Sequence, residues 1–214
     1  MKKILLLGDS IRMGYDKYVK ESLEGVAEVY YPDVNCRFAQ FTLRCVHEWK
    51  KKYGWPEDID LVHWNVGLHD VGEIYDDGPL STPEHYAHTL DRIDRRLRLL
   101  FPKAKLIFAL TTAVREEGYK GVFRRHNAVI EEFNEVALSV LGKTDTVIND
   151  LYEHTKDIAP EYCSDMTHYN TPAGAAYMGG KVLSVICPML GISPKEVGAE
   201  GFELEKYSAS NIGM

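Results

Sequence analysis

Short apolar runs alternate with longer amphipathic segments along most of the chain. Five runs have the length and the nearly continuous hydrophobic content of strands that are covered on both faces of a sheet. These strands are Lys3–Leu7, Ala27–Tyr31, Leu61–Asn65, Lys105–Leu110 and Thr146–Ile148. The intervening helical segments are Met13–Leu23, Leu43–Trp49, Pro83–Leu100, Arg125–Val140 and Thr171–Leu190. This alternation predicts an α/β fold, with a mostly parallel sheet between two layers of helices.

Neither a repeat nor a polar linker interrupts this pattern. The sequence therefore predicts one domain over residues 1–192, followed by an appendage of the same domain over residues 193–214, where little periodicity is left. The clearest helix is Pro83–Leu100, because its apolar residues recur at steps of three and four. Ser81 or Thr82 before Pro83 is a typical helix start.

The amino-acid composition and net charge of the chain limit the kinds of molecule that it is expected to bind. The 214 residues are 45% hydrophobic and 27% charged, which is typical of a folded globular protein rather than a disordered one. The net charge of −7 argues against nucleic acid or an anionic membrane surface as the main partner. No apolar run approaches the roughly 18 residues of a membrane span, and Ile4–Leu7 is too short for a signal peptide. We therefore expect a cytoplasmic protein that is not bound to a membrane, and a homodimer is compatible with the sequence.

The first segment with candidate chemistry follows the first strand. In a doubly wound sheet, sites form in the loops beyond the carboxyl ends of the strands. Gly8-Asp9-Ser10 occupies such a loop, where Gly8 allows a tight turn and Ser10 lies near the start of the next helix. A hydroxyl group there is available for chemistry. A serine that only caps the helix would give the same sequence pattern, so this alternative stays open.

The second segment lies before the last helix and reads Asp165-Met166-Thr167-His168. An aspartate three residues before a histidine can accept the Nδ1–H of the ring and leave Nε2 free as a base. A turn with an exposed histidine and one arm of a metal site are the alternatives. The third segment follows the third strand, where Gly67 indicates a sharp exit and Asn65 or His69 could aim a donor at the site. Together the three segments supply a nucleophile, an oriented base and an oxyanion donor.

With these motifs the sequence resembles the SGNH/GDSL hydrolases over about residues 3–190. The resemblance rests on Gly8-Asp9-Ser10 near the start and on Asp165 and His168 near the end. It implies a flavodoxin-like three-layer α/β/α sandwich with a five-stranded parallel sheet, and a serine esterase that needs no cofactor. It also implies that Ser10 is the nucleophile, that His168 is the general base and that Asp165 is the partner of His168.

Two positions depart from the family pattern. The family usually has a glycine after the second strand whose N–H joins the oxyanion hole, and spacing puts Gln40 there. The third family block ends in Gly-x-Asn-Asp, whereas this chain has His69 in place of the asparagine. The oxyanion donors are therefore expected to be Ser10 and Gln40, together with either Asn65 or His69.

The loops that could line a substrate pocket are mixed in character, and Arg12, Tyr15, Arg37 and Phe38 are the candidate substrate contacts. No long apolar lid is apparent, so a short acyl group, such as acetyl, on a polar or carbohydrate alcohol is the expected small-molecule ester. Two alternatives stay open at this point. One is a metal-dependent phosphoesterase that uses Asp9, Asp70, Asp165 and His168. The other is a catalytically degenerate SGNH-fold binding protein.

Overall fold

Five of the strands lie side by side in one parallel sheet in the computed structural model, which describes residues 1–198. The strands in chain order are β1 (Lys2–Leu7), β2 (Ala27–Tyr30), β3 (Leu61–Trp64), β4 (Glu73–Ile74), β5 (Lys105–Ala109), β6 (Phe123–Arg124) and β7 (Val147–Asn149). The order across the main sheet is β2-β1-β3-β5-β7. The predicted parallel sheet is therefore confirmed, and β1 and β3 are neighbours at its centre, with Leu7 paired to Trp64.

Five helices cover the two faces of the sheet. They are α1 (Ser10–Ser22), α2 (Ala39–Tyr53), α3 (Pro83–Leu100), α4 (Asn127–Leu141) and α5 (Pro172–Leu190). Helix α1 contacts α5, while α3 contacts both α2 and α4. The result is the expected three-layer α/β/α sandwich, in which the short loops at the carboxyl ends of the strands carry the polar segments.

The core forms where the hydrophobic pattern predicts it. The last four residues of β1 are almost completely buried, and so are the residues of α3 at the predicted steps, Tyr86, Leu90, Ile93 and Leu97. Burial of one such side chain contributes roughly 1.5–3 kcal/mol. Helix α3 begins at Pro83, and the Thr82 hydroxyl accepts a hydrogen bond from the His85 N–H at 3.3 Å.

A small antiparallel ribbon, β4 with β6, was not predicted. Glu73 pairs with Arg124 and Ile74 pairs with Phe123, so the ribbon joins the loop after β3 to the loop after β5. Each strand has only two residues, which is too short for a periodic hydrophobic signal. The ribbon places Phe123 beside the cleft that contains Ser10 and His168.

Helix α5 is the one helix within residues 1–198 that is long and apolar enough to cross a membrane by length and composition. Helices in the core of folded domains share this property, and α5 buries eight residues, among them Met178 and Val182. Beyond it, the backbone N–H of Lys195 donates to the Ser22 carbonyl at the end of α1. The rest of the predicted appendage, residues 199–214, lies outside the described residues.

Candidate active site

Ser10 is held at the junction of β1 and α1. Asp9 caps the helix, because its Oδ1 atom accepts the N–H of Ile11 at 2.9 Å. Ser10 is then the first helical residue, at a point where backbone N–H groups have no partner inside the helix. The residue is 3% exposed, and it lines a cleft at the carboxyl edge of the sheet.

His168 contacts Ser10 directly. The His168 Nε2 atom lies 2.8 Å from the Ser10 Oγ atom, and the His168 Nδ1 atom lies 2.8 Å from Asp165 Oδ2. The other carboxylate oxygen of Asp165 accepts the backbone N–H groups of Thr167 and His168 at 2.7 and 2.8 Å. The loop before α5 therefore fixes the carboxylate, and the carboxylate fixes the ring.

The pKa of Asp165 follows from these contacts. Partial burial raises the pKa, but the ring of His168 and the two backbone N–H groups lower it more, to about 2. Asp165 is thus ionised at neutral pH and accepts the Nδ1–H of His168. This tautomer leaves Nε2 as the acceptor for the hydroxyl proton of Ser10.

The Asn65 amide binds the carboxylate of Asp9, next to Ser10 in the chain. Its Nδ2 atom donates to Asp9 Oδ1 at 2.9 Å, so one carboxylate oxygen receives both this amide and the Ile11 N–H. Gly8 makes the contact possible, because a Cβ at this position would lie 1.9 Å from Asn65 Oδ1. Asn65 therefore holds the turn before Ser10, and it does not line the cleft that contains Ser10.

His69, by contrast, lines the same cleft as Ser10 and His168. Gly67 turns the chain with a φ of 133°, and a Cβ there would lie 2.3 Å from the Thr111 hydroxyl oxygen. The Nε2 atom of His69 is buried and has no hydrogen-bond partner within residues 1–198. Burial and the nearby charges of Arg125 and His168 lower the pKa of His69, against the opposing effect of Asp9. A neutral ring with one unpartnered nitrogen is suited to donate to a ligand.

The loop after β2 differs from the expectation for Gln40. Gln40 lies in the first turn of α2 and lines a separate cleft with Phe38 and Ser81, not the cleft of Ser10. Within this loop it is Arg37 that adopts a left-handed backbone, with a φ of 53°, the conformation that glycine favours. Arg37 thus has the glycine-like backbone in this loop, and Gln40 does not.

The start of α2 is tied to the loop after β3 by Asp70. Both oxygens of the Asp70 carboxyl accept the Ala39 N–H, at 3.0 and 3.2 Å. The carboxyl is buried, and this burial raises its pKa to about 7 although the backbone N–H groups act in the opposite direction. Asp70 therefore fixes the relative position of the two loops on that side of the cleft.

Two predicted substrate contacts are wrong. Arg12 is 1% exposed and Tyr15 is fully buried, so neither can meet a substrate at the rim. Arg12 forms an ion pair with Asp16 and donates to the carbonyl oxygens of Pro32 and Val34 at 3.0 and 2.6 Å. Arg12 thus connects α1 to the loop after β2. The apolar residues next to it in the helix do not predict this role.

Two adjoining clefts form the accessible part of the site. The first, of about 260 Å³, contains Ser10 and His168 and is walled by the segment Tyr119–Phe123. The second, of about 420 Å³, is lined by the predicted residues Arg37 and Phe38 and by Ile74 and Leu80. His69, Phe123 and Arg125 line both clefts, so they form the partition between them. Of these, Arg125 was predicted only as the start of a helix.

The side chains named for a metal site have other partners. Asp9 caps α1, Asp70 accepts from Ala39 and Asp165 accepts from His168. Across residues 1–198, no group of three or more potential metal ligands is close enough together to hold an ion. The arrangement of Asp9, Asp70, Asp165 and His168 therefore does not fit the metal-dependent alternative.

Comparison with solved structures places this architecture among known folds. A lipase/acylhydrolase from Enterococcus faecalis superimposes with a TM-score of 0.68 at 19% identity, over 92% of this chain and 100% of that one. A GDSL-like lipase from Bacteroides thetaiotaomicron gives 0.68 at 14% identity, over 88% and 89%. The chain has the SGNH/GDSL hydrolase fold. An acetyl xylan esterase shares this fold as well, with a TM-score of 0.65 at 14% identity over 86% of this chain and 99% of that one.

Sequence comparison adds nothing to this result. Neither the family models nor the curated proteins include a match to the chain. At identities of 14–19% the similarity to the SGNH/GDSL structures concerns the fold alone. A reaction has to be argued from the residues that line the two clefts.

Proposed function

We propose that this protein is a serine ester hydrolase that acts through an acyl-Ser10 intermediate. The observation that carries the proposal is the chain of two 2.8 Å contacts from Ser10 Oγ through the His168 ring to Asp165. A nucleophile, a base and an orienting carboxylate in hydrogen-bond contact are the defining arrangement of this chemistry.

In the first half-reaction, His168 Nε2 removes the proton of Ser10 as the Oγ atom attacks the ester carbonyl carbon. The C–O bond of the leaving alcohol then breaks, and the alcohol oxygen receives the proton from His168. In the second half-reaction, His168 takes a proton from water, and the hydroxyl attacks the acyl-Ser10 carbonyl. The acid leaves, and the proton returns to Ser10 Oγ.

Negative charge develops on the carbonyl oxygen in both half-reactions. We assign its stabilisation to the backbone N–H of Ser10 at the start of α1 and to the ring N–H of His69. Support for His69 is its position in the cleft and the unpartnered Nε2 atom. One donor of this kind typically contributes about 3 kcal/mol to transition-state stabilisation. Asn65 and Gln40 are weaker candidates, since Asn65 donates to Asp9 and Gln40 lines another cleft.

For the substrate, we propose a short acyl ester of a polar alcohol. The cleft around Ser10 is small, at about 260 Å³, and its walls include the polar side chains of Tyr119, Lys120 and Thr167. One similar fold is that of an acetyl xylan esterase, and others are described as lipases or acylhydrolases. An acetyl group on a carbohydrate or a comparable small alcohol is the form of this proposal to test first.

The test is hydrolysis of 4-nitrophenyl acetate and of a panel of acetylated sugars by the wild-type protein and by Ser10→Ala. Ser139→Ala, at an exposed serine of α4, is the matched control. We expect Ser10→Ala to lose at least about 10³-fold in kcat and Ser139→Ala to behave as wild type. Equal rates for wild type and Ser10→Ala would contradict the proposal and favour a binding protein of the same fold.

A further inference from the structure

The partition between the two clefts contains a buried cation with no acidic partner. Arg125 is 7% exposed, and its guanidinium lies over the Phe123 ring at 4.7 Å. Its Nε atom donates to the Leu68 carbonyl at 2.6 Å, and its Nη1 atom contacts the Tyr119 and Thr167 hydroxyl groups at 3.2 and 3.4 Å. Each of these partners is uncharged. A buried arginine is normally paired with an acid, because desolvation of an isolated charge is costly.

The nearby carboxylates are engaged elsewhere. Asp165 is bound to His168, while Glu73 and Glu116 lie 3.3 and 3.0 Å from the ring nitrogens of His126. Within residues 1–198, Arg125 forms no ion pair, and its Nη2 atom makes no hydrogen bond. The guanidinium thus keeps donor capacity on the side of the clefts that it lines.

Further positive charge surrounds the same space. Arg37 lines the second cleft, and Lys120 lines the first, while Asp165 is the one acidic residue that lines either. Neither Arg37 nor Lys120 has a carboxylate within 4 Å in the described part of the chain. Three unpaired cations around one site contrast with the net charge of −7 of the whole chain. Such a local concentration favours an anionic ligand.

We propose that the substrate carries an anionic group, a carboxylate or a phosphate, which binds Arg125 while the ester lies at Ser10. This inference rests on the proposed ester hydrolysis and specifies its substrate class. The planar guanidinium presents two N–H groups to such an anion, and Arg37 adds a second charge from the rim of the second cleft. Phe38, Ile74 and Leu80 supply the apolar surface that contacts the rest of that part of the substrate.

Matched ester pairs test the charge preference. 4-Acetoxybenzoate and its neutral methyl ester differ in charge on the alcohol side. 4-Nitrophenyl hydrogen glutarate and 4-nitrophenyl butyrate differ on the acyl side. We expect a higher kcat/KM for the anionic member of at least one pair. Arg125→Met should lower that value by roughly 10- to 100-fold more than it lowers the value for the neutral ester.

The neighbouring Arg124→Met, at an exposed arginine of β6, is the control and should leave both values unchanged. Arg37→Gln is a second variant in case Arg125→Met does not fold, because Arg37 is exposed; it should reduce the anionic preference in the same direction. Equal losses on charged and neutral esters in Arg125→Met, or no preference for charge in the wild type, would overturn the proposal.

Binding to Ser10→Ala separates this proposal from the proposed function. Calorimetry should show at least about 10-fold tighter binding of the anionic product of the preferred pair than of its neutral amide, which means 4-hydroxybenzoate against 4-hydroxybenzamide or glutarate against glutaramide. Arg125→Met should abolish the difference. Benzoate and inorganic phosphate, compared as competitors, distinguish the carboxylate from the phosphate, and displacement by neither would count against an anion site. Anion binding without turnover of any ester would reject the hydrolase and keep the anion site. Turnover of esters without anion binding would keep the hydrolase and reject the anion site.

Discussion

The Nε2 atom of His168 lies 2.8 Å from the Oγ atom of Ser10, although 158 positions separate the two residues in the chain. The contact joins the segment after β1 to the loop before the last helix. A pair at this distance exchanges a proton without any movement of the backbone.

The carboxylate of Asp165 orients the ring of His168, and its removal is expected to disable the base. Asp165→Asn keeps the shape of the side chain, but its amide can present an N–H group to the His168 Nδ1–H, which needs an acceptor. We expect kcat to fall by about 10³- to 10⁴-fold with folding intact. The measurement is steady-state hydrolysis of 4-nitrophenyl acetate, with Asp157→Asn at an exposed aspartate as the control. A loss smaller than tenfold would argue against this role for Asp165.

The pH dependence of activity has a defined direction. Because the pKa of Asp165 is about 2, this carboxylate remains ionised down to strongly acidic pH. Protonation of Asp165 should therefore not cause the loss of kcat/KM on the acid side, which should reflect the uptake of a single proton elsewhere in the site. As the pH is lowered, a plot of log(kcat/KM) against pH should fall with a slope of one. A slope of two would indicate a second essential base.

His69 is expected to act in the transition state more than in binding. The burial-lowered pKa keeps the ring neutral at neutral pH, so it can donate one N–H to the oxyanion. His69→Ala should lower kcat by about 10²- to 10³-fold with a smaller change in KM, and His69→Asn should recover part of the loss. His47→Ala, at a half-exposed histidine of α2, serves as the control. A change confined to KM would assign His69 to substrate binding instead.

Gly8 is required for the turn that presents Ser10. In Gly8→Ala the new methyl group would lie 1.9 Å from Asn65 Oδ1, so the Asn65–Asp9 contact has to break. We expect a loss of roughly 1–3 kcal/mol in unfolding free energy, together with a large fall in kcat. Gly180→Ala in α5, where a Cβ meets nothing within 4 Å, should be neutral or slightly stabilising. Urea unfolding of both variants makes the comparison.

Asp70 makes stability depend on pH. Its pKa is raised from 3.8 to about 7 in the folded protein, so between these values the folded state holds a proton that the unfolded state releases. The free energy of unfolding should therefore fall as pH rises through this range, by at most about 1.4 kcal/mol per unit. Asp70→Asn, which can still accept the Ala39 N–H, should remove that part of the slope. An identical slope in wild type and Asp70→Asn would contradict the assignment.

The sequence predicts the sheet and the segments that contain Ser10, Asp165 and His168 because both produce local signals. The strands are continuous apolar runs, and the Gly8-Asp9-Ser10 and Asp165-to-His168 segments each fold within a few residues. The start of α2 was placed four residues late, because Phe38 precedes the helix without a side-chain cap that a sequence could reveal. Helix α1 was likewise placed late, although Asp9 does cap it, since its early residues give a weak periodic pattern.

The remaining errors concern contacts that no local pattern encodes. The prediction put Arg12 at the site because it is charged and lies near Ser10, but carbonyl oxygens 20 and 22 positions away hold it in the core. Arg125 is the reverse case, because it lines both clefts but was not predicted at the site. Its position there depends on the two-residue ribbon that carries Phe123. The choice between Asn65 and His69 also depends on tertiary contacts, because both residue types can donate.

The central claim is that Ser10 is the nucleophile, and covalent labelling tests it most directly. A fluorophosphonate should add one label to the wild-type protein, and peptide mass spectrometry should place that label on Ser10. Labelling should be lost in Ser10→Ala and strongly slowed in His168→Ala, and it should abolish ester hydrolysis in the wild type. An active protein that takes no label at Ser10, or that keeps its hydrolysis after Ser10 is labelled, would contradict the account.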